Sequence, residues 1–397
     1  MTTKEKSTSE TKRLHFLDNL RTVIIFLVIL YHAGGVYEAT GFWASFWIVD
    51  DPAINNISGL IGLVTDIFVM STLFFISGYL APPSLKKRQV WGFIKRKLSR
   101  LIVPWVIAVL TLIPLYKVIF LYSRSLPQEH WTSYFHFSNG NISSQNWLWF
   151  LPVLFVFSLL YLLFSKANIR MPNLSLKSAV FSAFLIGFVY SLGMDIFNLR
   201  GWTLTPFLDF QHEMVLPYFM FFLLGIFSYR LKIFDTKPEN PRLYYTVSTL
   251  SAIPILVYII FLLSPLFSPG NFIVSQTIDR VVIWFSFQLS LFSMVYVMIE
   301  TFWRYFDKTG ALWRELNQNS YYVYIIHVIV LGVIATLLLN TAMPSLLKYV
   351  TLAVSTFIVS NILVSLYYRA ATRLKPTYKP KLRGSQNFRS RYERGNF

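Results

Sequence analysis

The sequence predicts an all-α fold: a polytopic helical membrane protein with about ten transmembrane helices and with both the N- and the C-terminus cytoplasmic. Its 397 residues are 55% hydrophobic and only 14% charged, whereas aqueous globular domains carry about 25% charged residues. Apolar stretches recur along the chain, and basic residues gather in every second loop. Cysteine is absent, which excludes disulfides, thiolate metal sites and a cysteine nucleophile.

The apolar stretches have the length of membrane spans. A span needs about 20 residues, and a chain of this length has room for roughly ten. We number the ten segments in chain order as spans 1 to 10: 16–37, 57–80, 100–122, 146–165, 176–194, 213–230, 243–265, 278–302, 320–340 and 346–368. Spans 5 and 6 are the least distinct, because Asp195, Arg200 and Asp209 lie between them.

Basic residues decide the orientation. Of the 36 Lys and Arg, 30 precede span 1, follow an even-numbered span or belong to the C-terminal tail. The opposite loops hold only Arg124 and Arg200. The positive-inside rule makes the basic side cytoplasmic. We therefore expect a cytoplasmic segment at 1–15, a transmembrane domain at 16–368 and a basic, disordered cytoplasmic tail at 369–397, which contacts membrane lipid. The net charge of +18 then reflects topology and does not indicate nucleic-acid binding.

Span 1 carries two ionisable residues on one stripe. Arg21 precedes His32 by eleven residues, which is about three helical turns plus 20°, or about 16 Å along the axis. An ionisable residue inside a membrane span is costly and marks a candidate functional site. Because histidine titrates near neutrality, the pair indicates proton chemistry linked to an anion site.

Asp66 lies in span 2, at a depth similar to that of His32. Consecutive spans are usually neighbours, and a carboxylate that fixes an imidazole tautomer supports a general base. His32 and Asp66 are therefore the predicted catalytic pair. The alternative is a buried hydrogen-bonded pair that only holds two helices together.

A second cluster lies toward the basic side. Guanidinium binds phosphate in a bidentate manner, so Arg21 is a candidate anion holder, and Lys97 and Arg100 are positioned to add to the same site. The alternative for Arg21 is a snorkelling side chain or a surface pair with Asp18. The alternative for the basic run is that it only sets topology.

Other polar and aromatic residues are possible substrate contacts. Span 9 opens at Ser320, a candidate N-cap, and Tyr321, Tyr324 and His327 follow on one face at spacing three. A lone histidine in that position is more often structural. The tryptophans of the outer loops are mostly expected in an interfacial belt, with a minority stacking on a sugar. The possible contacts are Glu38, Tyr79, Trp149, His212, Tyr324 and His327.

No Gly-rich phosphate loop, serine nucleophile elbow or metal-ligand spacing occurs in the sequence. We expect no metal and no permanently bound cofactor.

The motifs together resemble the acyltransferase-3 family of integral-membrane O-acyltransferases. The matching pieces occur in family order and span most of the chain. They are Leu17-Asp-Asn-Leu-Arg with His32, Asp66 to Leu80 ending in Phe-Phe-Ile-Ser-Gly-Tyr-Leu, Arg100-Leu-Ile-Val-Pro, Trp147-Leu-Trp-Phe-Leu151, and Ser320-Tyr-Tyr-Val-Tyr-Ile-Ile-His327.

The resemblance implies about ten membrane helices, a cytoplasmic acyl-CoA as co-substrate and a hydroxyl of a surface carbohydrate or glycolipid as acceptor. It carries Arg21 and His32 over as the essential pair. The family's Arg-x-x-Arg element reads Lys97-Leu-Ser-Arg100 here, and lysine is not an equivalent bidentate ligand.

We therefore predict an O-acyltransferase of a plasma (bacterial-type inner) membrane, with acetyl or succinyl as the acyl group. Two alternatives stay open: a proton-coupled transporter or flippase for a glycan or lipid-linked substrate, and a structural membrane subunit.

Overall fold

The computed structural model describes residues 14–38, 46–135, 145–167, 174–236 and 240–374. Residues 1–13 of the expected cytoplasmic segment 1–15, and the expected tail from 375 onward, lie outside these residues. Within the described ranges the chain forms these helices: α1 (His15–Tyr37), α2 (Asn56–Tyr79), α3 (Ala81–Lys86), α4 (Val90–Lys97), α5 (Val103–Ser123), α6 (Phe150–Lys166), α7 (Leu176–Ile196), α8 (Val215–Arg230), α9 (Arg242–Leu250), α10 (Ala252–Phe267), α11 (Gln276–Tyr305), α12 (Ala311–Leu338) and α13 (Ser345–Leu374).

Irregular helical turns and one small hairpin complete the fold. A π-helical turn, Leu98–Ile102, joins α4 to α5, and 3₁₀ turns cover Trp131–Phe135 and Asn146–Trp149. The strands β1 (Trp202–Thr203) and β2 (Phe210–Gln211) pair antiparallel between α7 and α8.

The predicted fold class is confirmed: the protein is a polytopic helical membrane protein, and the described residues are 78% helical, with almost no strand among them. Nine helical stretches of the described residues are long and apolar enough to cross a membrane. Span 6, the remaining predicted span, corresponds to the shorter helix α8, of 16 residues. Its first residue lies two positions after the predicted start of span 6.

The helix directions place the first turn of α1, the end of α8, the end of α11 and the start of α12 at one end of the bundle. Phe16, in the first turn of α1, packs on Phe234 beyond α8 and on Trp303 in α11, with ring centroids 5.0 and 6.3 Å apart. Asn19 donates to the carbonyls of Phe306 and Lys308, just before α12. We call this the basic end, because the loops rich in Lys and Arg lie there. The β1–β2 hairpin lies at the other end of α8.

Glycines allow the closest helix contact. A Cβ on Gly78 of α2 would lie 1.9 Å from the carbonyl oxygen of Phe222, and one on Gly225 of α8 would lie 2.1 Å from that of Phe75. Small residues let transmembrane backbones approach closely. The α2–α8 crossing therefore requires glycine on both helices.

The start of α12 corrects the prediction at Ser320. The helix begins at Ala311, so Ser320 lies nine residues inside it and caps nothing. The segment from Leu312 to Asn319 is polar enough that its apolar periodicity is weak, yet it contains good helix formers. His327 is consequently about 24 Å from the start of the helix, rather than close to the basic end.

Candidate functional site

Arg21 and His32 both face α12, as one stripe of α1 requires. The Arg21 Nε donates to the Ser320 Oγ at 3.1 Å, and its Nη2 donates to the Asn317 carbonyl at 3.1 Å. The same Nη2 lies 3.3 Å from a carboxylate oxygen of Asp18. The alternative of an Asp18–Arg21 pair is therefore also present in the structure. The Arg21 side chain stays 31% exposed, so part of it reaches the surface at the basic end.

Buried amides fix this part of α1 against α12. Asn317 Nδ2 donates to the side chain of Asn19 at 2.7 Å, and Thr22 Oγ1 donates to Asn317 Oδ1 at 2.6 Å. All three side chains are buried. Polar groups in an apolar interior hold a unique register when every one is satisfied. The network thereby sets the height of Arg21 against α12.

His32 pairs with His327 farther along the same interface. The His32 Nδ1 and His327 Nε2 atoms are 2.7 Å apart, and the rings are nearly parallel. His327 is fully buried and His32 is 9% exposed. The other ring nitrogen of His327, Nδ1, lies 2.6 Å from the Tyr324 carbonyl oxygen.

These contacts assign the protons of the neutral pair. A carbonyl oxygen only accepts, so His327 Nδ1 carries its hydrogen and His327 Nε2 presents a lone pair. His32 Nδ1 therefore donates to His327. The Nε2 of neutral His32 is left with its lone pair, which is the state that a general base needs.

Asp66 does not supply the orienting contact that the sequence predicts for it. No hydrogen bond or ion pair between Asp66 and His32 occurs in the described part of the chain. The helix register explains the difference. Gly34 lies against Ser58, and Tyr31 lies against Gly62, so Asp66 sits about five residues, or about 7 Å, closer to the basic end than His32.

Asp66 instead faces a chamber inside the helix bundle. Its side chain is exposed, although its neighbours Thr65 and Ile67 are buried. Its carboxylate interacts electrostatically with Tyr31 of α1, Tyr218 of α8 and Tyr258 of α10. Because α1, α8 and α10 surround Asp66, we infer that its exposed surface opens onto a space within the bundle. We call this space the Asp66 chamber.

Trp149 closes one side of the chamber. Its ring lies 5.7 Å from that of Tyr218 and 5.4 Å from that of Trp202 in the hairpin. Trp149 thus links the chamber to the hairpin end, in a position where it can contact an acceptor.

Two tryptophans expected in the interfacial belt are core residues. Trp47 and Trp147 are 1% and 2% exposed. Trp47 Nε1 donates to the His32 carbonyl at 3.0 Å, and Trp147 Nε1 donates to the Ile325 carbonyl at 2.9 Å. The hydroxyl of Tyr324 donates to the Trp147 carbonyl. These bonds fix the backbones on either side of the histidine pair, so packing within the bundle accounts for both rings.

The basic run also reaches α12. Arg100 lies in the π-helical turn, and its carbonyl accepts a hydrogen bond from Tyr321, the neighbour of Ser320. Lys97 ends α4, with its ammonium 5.6 Å from the centroid of the Phe93 ring. The π turn changes the helical period between them, so Lys97 and Arg100 do not follow the spacing of one regular helix. Arg21 and Arg100 nevertheless contact consecutive residues of α12.

The remaining candidates lie elsewhere. His212 uses both ring nitrogens in the hairpin, at 2.6 Å from Thr203 Oγ1 and at 2.8 Å from the Leu199 carbonyl. Tyr79 packs against Tyr229 and Phe234 at the basic end. Glu38 follows α1, with its Cβ near Gly59. The structure does not bring these three to the histidine pair.

Sequence reasoning named Ser320, Tyr324 and His327 but missed Asn317 and the stripe that joins the four residues. Asn317, Ser320, Tyr324 and His327 recur at spacings of three, four and three, which is one polar stripe on an apolar helix. Extending span 9 back to Asn317 would have revealed it. Tyr31, Tyr218 and Tyr258 come from separate spans, and no spacing in the sequence links them.

The comparisons define the class of the protein. The family model for the acyltransferase-3 family, described as an acyltransferase domain, matches residues 14–365. The match covers almost all of the described helices, and the chain belongs to this family. The protein is therefore a multi-pass membrane acyltransferase. No curated protein matches the chain, and no solved structure does.

Proposed function

We propose that this acyltransferase moves an acetyl or succinyl group from cytoplasmic acyl-CoA to a hydroxyl of an extracytoplasmic carbohydrate or glycolipid, in a bacterial-type inner membrane. One observation carries the proposal. A guanidinium and a histidine pair face the same neighbouring helix, near opposite ends of one membrane helix.

The donor side is the basic end. Arg21 and Arg100, with Lys97 nearby, form the positively charged region to which the phosphates of acyl-CoA bind. Arg21 and His32 are about 16 Å apart along α1. An extended thioester arm between the helices reaches from the one to the other.

His32 performs the proton transfer. Its Nε2 takes the proton of the acceptor hydroxyl as the oxygen attacks the thioester carbonyl. The new ester C–O bond forms, the C–S bond breaks, and the proton passes from His32 to the departing thiolate. His327 Nε2 accepts the Nδ1–H of His32 throughout, so the imidazolium that forms keeps a hydrogen-bond partner. This is the role that an orienting carboxylate plays in a catalytic triad.

The Asp66 chamber is the candidate acceptor site. A carboxylate and the three phenols of Tyr31, Tyr218 and Tyr258 can hydrogen-bond the hydroxyls of a sugar, and Trp149 offers an apolar ring face. Asp66 is thus proposed to bind the acceptor and not to orient His32.

The test is acyl transfer by the purified, full-length protein in lipid vesicles. The acceptors are glycans and glycolipids extracted from the membrane of the source cell, and the donors are acetyl-CoA and succinyl-CoA. Mass spectrometry of the products identifies the acyl group by its mass increment. We expect ester formation that depends on donor and protein. Transport of a glycan across the vesicle without acyl turnover would contradict the proposal and favour a transporter.

A further inference from the structure

A groove on the outer surface of α12 and α13 lies apart from the candidate site. Its larger part has a volume of about 460 Å³ and runs between the start of α12 and the end of α13. An adjoining hollow of about 370 Å³ shares four of its lining residues: Glu315, Asn319, Ser365 and Arg369. Asn317 and Ser320 face α1 instead. The groove is therefore outside the acyl-transfer machinery.

The two parts of the groove differ in polarity. The walls of the larger part include Leu312, Ile358, Ile362 and Leu366. These side chains are between 51% and 69% exposed. In a membrane protein such a surface meets hydrocarbon. This part of the groove suits an acyl chain.

The adjoining hollow is polar and cationic. Its lining includes Arg314, Gln318, Arg369 and Thr372. Glu315 is its acidic member, and its carboxylate already lies 3.5 Å from Arg369 and accepts from Ser365. The two arginines therefore leave a net positive charge. Beyond Arg369 the sequence continues with eight further basic residues up to Arg394.

We propose that the groove binds one anionic phospholipid, with an acyl chain along Ile358 and Ile362 and the phosphate at Arg314 and Arg369. Basic hollows between transmembrane helices on the cytoplasmic side bind anionic headgroups. The apolar walls and the cationic rim fit this occupant. So does the position of the groove, on the outer surface of α12 and α13 at the basic end. A zwitterionic lipid and a second copy of the chain are the competing occupants.

The test measures lipid that stays bound. Full-length protein is incorporated into vesicles of equal parts phosphatidylglycerol, phosphatidylethanolamine and phosphatidylcholine, then extracted in mild detergent. The retained lipid is counted by mass spectrometry. We expect selective retention of phosphatidylglycerol. A basic residue near an anionic surface contributes about 1 kcal/mol, which corresponds to about a fivefold change in affinity. Arg314→Gln and Arg369→Gln should each lower retention by about that factor.

Two further variants make the result decisive. Arg373→Gln removes a charge at the same end of α13 but outside the groove lining, and it should retain phosphatidylglycerol like the wild type. Ile362→Trp fills the apolar part and should abolish retention without removing a charge. Equal loss with Arg373→Gln would show general surface attraction and overturn the proposal. Equal retention of all three lipids, or a dimer with lipid-free grooves, would overturn it as well.

Discussion

At the scale of single residues, the pairing of His32 with His327 determines what His32 can do. Two imidazoles can exchange one hydrogen bond in either direction, and the Tyr324 carbonyl breaks that symmetry. Because this carbonyl oxygen only accepts, His327 Nδ1 carries its hydrogen. His32 Nδ1 then donates to His327 Nε2. A neutral histidine in this role brings no buried charge into the membrane interior, whereas an ionised carboxylate would.

Replacement of His32 by alanine should abolish acyl transfer. General base catalysis contributes about 10²–10⁴-fold, so we expect kcat to fall by that range with the KM for acyl-CoA nearly unchanged. His130→Ala, at an exposed position, is the matched control and should transfer normally. Initial rates in vesicles, with membrane insertion checked by size-exclusion chromatography, give the comparison. Transfer by His32→Ala at the wild-type rate would remove His32 from the mechanism.

His327 should behave as a positioning residue. In His327→Phe the Nδ1–H of His32 loses its acceptor, and an unsatisfied buried donor costs about 1–3 kcal/mol. We therefore expect a loss of about 10- to 100-fold in kcat and a changed pH–rate profile. His327→Gln restores an acceptor oxygen and should recover part of the rate. An unaltered pH profile in His327→Phe would mean that the residue only fills space.

Arg21 should act on the donor and not on the chemical step. Loss of a hydrogen bond to a charged group costs about 1.5–3 kcal/mol, so Arg21→Gln should raise the KM for acyl-CoA by about 10- to 100-fold. Arg21→Lys should not restore it, because an ammonium lacks the guanidinium fork. Arg230→Gln, another basic-end arginine, is the control. A changed kcat with an unchanged KM would place Arg21 elsewhere in the reaction.

The sequence predicted the residues of α1 better than their partners. The relation of Arg21 to His32 depends only on helical period, and the shared face is found in the structure. The partner of His32 lies 295 positions away, and its choice depends on how α1 packs against α12. The expectation for Asp66 assumed equal depths, but the register of α2 against α1 moves it toward the basic end.

At the scale of elements, the packing of α2 on α8 anchors the Asp66 chamber. Asp66 and Gly78 belong to α2, and Tyr218 and Gly225 belong to α8. The two glycines bring the backbones together beyond the chamber, and Phe74 stacks on Tyr218 with centroids 5.1 Å apart. The position of the Tyr218 hydroxyl relative to Asp66 therefore depends on the glycine contact.

A methyl group at this crossing should destabilise the protein. Gly78→Ala places a Cβ within 1.9 Å of the Phe222 carbonyl oxygen, and overpacking of this kind costs about 1–3 kcal/mol. We expect a lower Tm in detergent, measured by intrinsic fluorescence. Gly193→Ala in α7 is the control, since its added Cβ meets nothing within 4 Å, and alanine favours a helix by about 1 kcal/mol over glycine. A Tm for Gly78→Ala equal to that of Gly193→Ala would contradict the close packing.

Element boundaries were predictable where apolar residues dominate. Spans 1, 2 and 8 coincide with α1, α2 and α11 to within a few residues. Span 6 also agrees with α8 to within two residues, whereas span 9 differs because the polar residues before it form the first turns of α12. Hydropathy does not distinguish a polar helix that packs on neighbours from a loop.

At the scale of the whole molecule, the direction of α8 decides the topology. It runs from the hairpin toward the basic end, where Phe234, four residues beyond α8, packs on Phe16. If this helix of 16 residues crosses the membrane together with its hairpin, ten crossings result and both termini lie on one side. If α8 instead enters the membrane and returns on the same side, every later loop lies on the side opposite to the predicted one.

The natural absence of cysteine makes this directly testable with single introduced cysteines and a membrane-impermeant thiol reagent on intact cells. Lys4→Cys and Arg391→Cys should be protected, since the predicted topology puts both termini on the cytoplasmic side. Gln128→Cys after α5 and Ser268→Cys after α10 should be labelled, because both positions are exposed in loops of the opposite side. Gln128 reports on which side of the membrane a loop before α8 lies, and Ser268 reports the same for a loop after α8. Labelling at Gln128 with protection at Ser268 and labelling at Arg391 would show that α8 does not cross.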